Sequence, residues 1–169
     1  MVKSLKELAL AIDMKPNLNR RHKQAGDGLI VVIIFLALIG IGIWWLYSHK
    51  NEMDKEGRQF ARQMIESLTV KHDKNFFASN LGPQAKLDNP PSYQEELIQK
   101  LASMGVPAQP IKIEESMVWE SQFFEPKGYF TAHLNYPARG ATVQLAISHP
   151  VGKWQVDNLT FTPEKALGQ

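Results

Sequence analysis

Proton transfer or metal ligation in this chain would fall first to its five histidines, His22, His49, His72, His133 and His149. None stands at His-Glu-x-x-His spacing from another, so no helical turn brings two imidazoles to one metal. His72 beside Asp73 is the one place where a carboxylate could orient an imidazole as a base, and no motif sets a nucleophile or a second carboxylate next to it. His133 alternates with Leu134 in a strand-like run and so falls on the opposite face. Cysteine is absent, which removes thiol nucleophiles, disulfides and thiolate-held metals together. There is no phosphate-cradling glycine loop, no Gly-x-Ser-x-Gly elbow and no calcium loop. The residue types therefore predict a protein without catalytic, cofactor or metal sites.

The charge pattern narrows the partners. A net charge of +2 with Lys and Arg scattered along the chain predicts no nucleic-acid partner. Between Gly28 and Tyr47 there is no charge at all, and a helix of that length rises about 30 Å, the thickness of bilayer hydrocarbon. Apolar residues occupy every side of that helix, whereas a core helix of a small soluble domain keeps a polar face. Arg20, Arg21 and Lys23 mark one interface and Trp44, Trp45 and Tyr47 form an aromatic belt at the other. The run ends in WWLYSHKNE, with no small-residue cleavage step, which predicts an uncleaved anchor. The absence of intramembrane Asp, Glu, Lys, Arg and His argues against an ion or proton path through it.

Long domains cross a membrane largely regardless of charge, so the short basic segment before the helix should set orientation. The expected topology is a cytoplasmic N-terminal segment (1–27), a transmembrane helix (28–48) and an extracytoplasmic domain (49–169), in the cell inner (plasma) membrane with the domain periplasmic. In the N-terminal segment, Ser4 and Glu7 make a capping-box pair and Leu5, Leu8 and Ile12 share one helical face. That face fits either a membrane surface or the cytoplasmic side of a larger membrane protein.

Beyond the anchor, Phe60, Ala61, Met64, Ile65 and Leu68 share one side of a second helix that no proline separates from the first. KNFFASNLGPQAK reads as a short aromatic helix or turn, with Gly82 and Pro83 as breakers. Ser92 with Glu95 predicts a capped helix whose buried stripe is Leu97, Ile98, Leu101 and Met104, ended by Gly105 and Pro107. The period then changes to two. IKIEESMVWESQFF, GYFTAHLNY, ATVQLAIS and KWQVDNLTF alternate as strands, with PARG at hairpin length between the second and third. Trp154 and Val156 share a parity that Leu159 and Phe161 break, which predicts a bulge at Asp157 and Asn158. Helices followed by a meander predict an α+β domain with helices packed on one face of a curved antiparallel sheet.

This element order resembles the NTF2-like and cystatin-like folds. The terminal GKWQVDNLTFTP and the hairpin KGYFTAHLNYPARGATVQLAIS, behind an N-terminal anchor, are similar to the cytochrome oxidase assembly factor 1 family over roughly residues 51 to 163. The resemblance implies a noncatalytic accessory or assembly role at an integral membrane protein complex of respiratory or photosynthetic electron-transfer type, and it carries over no functional residue. A second possibility is a membrane-tethered NTF2-like domain that binds or converts a small apolar molecule. Trp119, Phe123, Phe124, Tyr129 and Trp154 read first as core aromatics and second as the lining of a cavity or docking patch. Adjacent aromatics in one strand face opposite sides, so Phe123 and Phe124 are the candidate partner contacts, together with Leu5, Leu8 and Ile12.

Overall fold

No proline interrupts the chain from Arg21 to Thr69, and those residues form one α-helix, α1 (Arg21–Thr69). The computed structural model describes residues 21–120, 124–150 and 152–164, and only the backbone of 21–27. The chain divides into two compact units, Met1–Trp45 and Leu46–Gln169. In the first, α1 exposes every residue from Gly28 to Trp45. This part of the helix is long and apolar enough to cross a membrane.

In the second unit the same helix carries a buried stripe at helical spacing: Met53, Gly57, Ala61, Ile65 and Leu68. Three shorter helices follow, α2 (Lys74–Asn80), α3 (Pro83–Asp88) and α4 (Pro91–Met104). Asp73 starts α2 by accepting the Phe76 N–H at 3.0 Å, and Phe77 is wholly buried. Helix α3 occupies what the sequence marked as a turn: Pro83 sits at its first position, where a fixed φ and a missing N–H cost nothing. The expected Ser92–Glu95 capping box is likewise corrected. Pro91 begins α4 one residue earlier, Ser92 lies inside it, and the Gln94 amide donates to the Asn89 carbonyl at 2.7 Å instead. Leu97 and Leu101 are buried, Ile98 and Met104 half-buried, and Gly105 ends the helix at φ 87°, a conformation only glycine adopts freely.

Strands β1 (Lys112–Trp119), β2 (Pro126–Asn135), β3 (Gly140–Ser148) and β4 (Gln155–Pro163) form one antiparallel sheet in sequence order. Tyr136 to Arg139 make the β2–β3 hairpin. Ala146 pairs with Asn158 and Ile147 with Val156, so Asp157 is the extra residue of a bulge, as the broken parity requires. Ser148 Oγ and Gln155 Nε2 both donate to Asp157 Oδ1, at 2.9 and 3.0 Å, and hold the bulge in place. One face of the sheet is apolar: Phe130, Ala132, Leu134, Val143, Leu145, Ile147, Val156 and Leu159 form a continuous core with the α1 stripe and Phe77. The other face carries Thr131, His133, Thr142, Gln144 and Thr160 and is solvated. The domain is thus α+β, a long apolar helix leading into a four-stranded antiparallel sheet with small helices.

Helix and sheet approach closely at Gly57. A β-carbon there would lie 2.7 Å from Trp154 Cη2 and 2.9 Å from Met117 Cε. Gly57→Val is expected to cost about 2–3 kcal/mol by overpacking. Gly57→Ala should cost less, since alanine restores roughly 1 kcal/mol of helix propensity. Urea titration followed by tryptophan fluorescence, reading the midpoint of unfolding, checks both. Farther along, Arg58 and Arg62 reach Glu115 on β1 at 2.8 and 3.6 Å. That partly exposed pair contributes up to about 1 kcal/mol.

Tyr136 supplies a pH dependence. Its hydroxyl is buried without a hydrogen-bond partner among the described residues, and burial pushes its pKa up from 10.0 to about 12. The folded state therefore favours the neutral phenol. Its contribution is complete below pH 10 and falls as pH rises toward 12, by about 2–3 kcal/mol. Tyr136→Phe should remove this term. Denaturant titrations of both proteins at pH 9 and pH 11.5 should show the native chain losing stability more steeply.

Candidate functional site

At the β1–β2 end of the sheet, the register sets Trp119 opposite Pro126 and Lys127 opposite Ser148. The β1–β2 loop and the segment after β3 therefore meet at one end. Helix α1 brings His49 and Met53 to the same place, and the three segments enclose a cleft of about 360 Å³. Its carbon-rich walls are Met53, Trp119, Phe124, Pro126 and Pro150, and its polar lining is His49, Glu125 and His149.

The aromatic side chains are fixed by specific contacts. The Trp119 indole N–H donates to Asp54 Oδ1 at 2.9 Å, and the Lys50 ammonium lies 5.4 Å from the Trp119 ring centroid, in cation–π range. His149 packs against Trp154 with ring centroids 5.0 Å apart and planes at 56°. The loop is closed at its base by the Glu120 N–H donating to the Glu125 carbonyl at 3.4 Å and by Lys127 Nζ donating to Glu120 Oε1 at 2.7 Å. That side-chain bond holds the Glu120 carboxyl below its usual pKa and raises that of Lys127. Glu125 has φ 59°, the left-handed turn that redirects the chain into β2.

Among the described residues no group of three His, Asp or Glu has metal-holding geometry. Asp73, the carboxylate beside His72, accepts the Phe76 N–H in its capping role, and His72 itself has φ 54° with Nε2 buried and without a hydrogen bond. A cleft of about 250 Å³ on the outer sheet face has Tyr129, Thr131, Gln144, Ala146, Asn158 and Thr160 in its lining.

The residues singled out from sequence distribute as follows. Trp44, Trp45 and Tyr47 are exposed on α1. Arg21 and Lys23 fall in the helix, with side chains outside the described residues, as are Arg20, Leu5, Leu8, Ile12 and Phe123 entirely. Phe124 is 67% exposed, but not through strand parity: β1 ends at Trp119, so Phe124 belongs to the loop. Trp154 is a buried core aromatic, Trp119 is half-buried, and Tyr129 is exposed on the outer face. Sequence reasoning missed the convergence of His49, Asp54 and His149. His49 on α1 and His149 after β3 are 100 residues apart in the chain, and helix packing with strand register brings them together without any local signal. No protein family, curated relative or solved structure matches this chain.

Proposed function

We propose that this protein is a noncatalytic single-pass accessory subunit or assembly factor of a larger membrane protein complex, of respiratory or photosynthetic electron-transfer type. The observation that carries the reading is the double character of α1. From Gly28 to Trp45 it is apolar and exposed on every side, and from Met53 to Leu68 it supplies a buried core stripe. We read this helix as a permanent anchor because its apolar run ends in WWLYSHKNE, without a small-residue cleavage step. The N-terminal segment is assigned to the cytoplasm and the domain to the periplasmic side of the inner membrane, on the strength of Arg20, Arg21 and Lys23. The domain is assigned to the NTF2-like and cystatin-like group, as in the cytochrome oxidase assembly factor 1 family, on the order of helices then meander. Contacts with the complex are made by the lipid-level face of α1 and by Leu5, Leu8 and Ile12.

Mild detergent extraction of native membranes followed by capture through a C-terminal tag tests this. Co-purification of one membrane complex in fixed stoichiometry is the expected result, and recovery of the protein alone would count against it. A second reading, a tethered domain that binds a small apolar molecule, is favoured by a cleft of about 540 Å³ whose walls include Ile65, Val70, Val106, Ile111 and Ile113. It predicts recovery of the protein alone, with a ligand retained in that cleft.

A further inference from the structure

Phe124 has a place relative to Tyr47 that can be measured along α1. Tyr47 and the loop belong to the same compact unit. His49 and Met53, which line the cleft with Phe124, follow Tyr47 by two and six residues, or about 3 Å and 9 Å along the helix axis. The headgroup layer on each side of the hydrocarbon is about 5–8 Å thick. If Tyr47 marks the interface, the cleft opens at headgroup level. Its chemistry suits that depth: an exposed phenylalanine, two prolines, and a half-buried indole with the Lys50 ammonium 5.4 Å from its ring centroid. Glu125 lines it, and beside it Glu120 and Lys127 are paired with each other at 2.7 Å.

We infer that the segment Phe124–Pro126 is a second membrane contact, with Phe124 inserted among lipid headgroups and the cleft behind it filled by lipid. This rests on the anchor reading and names the partner of a surface that the sequence marked for a protein. Lipid is favoured because His49 lies only about 3 Å along the helix axis from the belt residue Tyr47. Fixed at both the helix and the loop, the domain would be held in one orientation to the bilayer.

The absence of cysteine allows a single label at any chosen position. Full-length Phe124→Cys, carrying an environment-sensitive fluorophore, is reconstituted in phosphatidylcholine–phosphatidylglycerol vesicles with no other protein present. Lipids bearing a nitroxide at a shallow position should quench it at least twofold more than deep ones, and aqueous iodide should quench it poorly. Leu36→Cys reports the anchor and should respond to deep quenchers. Asn135→Cys, at the far end of β2 and about 30 Å from Pro126, should respond to iodide alone. A Leu36 label inside lipid with a Phe124 label open to iodide would overturn the loop inference and leave the anchor standing. Shielding of Phe124 only in native membranes would also overturn it, in favour of a protein contact. A Leu36 label open to iodide would remove both.

Discussion

Arginine at both Leu36 and Leu38 is expected to abolish membrane integration. The two residues lie near the middle of the apolar run, on almost opposite sides of α1, and both are exposed. Each arginine near a bilayer centre costs about 2.5–3.5 kcal/mol, and each leucine lost removes roughly 0.5 kcal/mol of favourable transfer. The pair should shift insertion by about 6–8 kcal/mol, which two side chains on opposite sides cannot relieve by facing one partner. Alkaline carbonate extraction provides the check. The native chain should stay with the membrane pellet, and the double variant should appear in the supernatant. Retention of the variant in the pellet would mean that protein, and not lipid, holds the helix.

Phe130→Ala should be strongly damaging to the domain, costing about 3–5 kcal/mol. Phe130 is 1% exposed at the centre of β2, facing the α1 stripe. Its ring extends over Gly128, where a β-carbon would stand 2.5 Å from Phe130 Cε2, so ring and glycine are matched. Removal of the ring leaves a cavity that Met117 and Ile147, which also crowd Gly128, can fill only in part. A small domain has stability of the same order as this loss, so the variant should be largely unfolded at 37 °C. Hydrogen exchange of β2 and β3 amides would show it. Protection close to that of the native chain would mean that the core collapses around the gap. Phe124→Ala, by contrast, should leave the exchange pattern unchanged, because that side chain contributes little to the core.

Much of the fold was legible because its signals are local. The parity break between Val156 and Leu159 lies within a few residues, and the bulge at Asp157 is its direct consequence. The uninterrupted α1 follows from the absence of proline, and the stripes on α1 and α4 follow from helical spacing. The misread details were contests between two local signals. Pro83 and Pro91 served as first helical residues where the sequence suggested a breaker and a serine cap, because proline loses nothing at that position. The end of β1 was set from a distance. Trp119 is held by Asp54, 65 residues away, and the chain beyond it leaves the sheet.

The sequence by itself determined the charge-free helical run, the absence of cysteine chemistry, the order of helices then strands, and the buried parity of β2, β3 and β4. These depend on composition and on periods of two or 3.6 residues, which neighbouring side chains already express. Only the tertiary structure decided that Phe124 stands exposed in a loop and that His49, Trp119 and His149 share one cleft. It also decided that Met117 and Trp154 close in on α1 at Gly57. Each of these joins segments tens of residues apart, and such contacts are fixed by strand register and helix packing, quantities no local window contains.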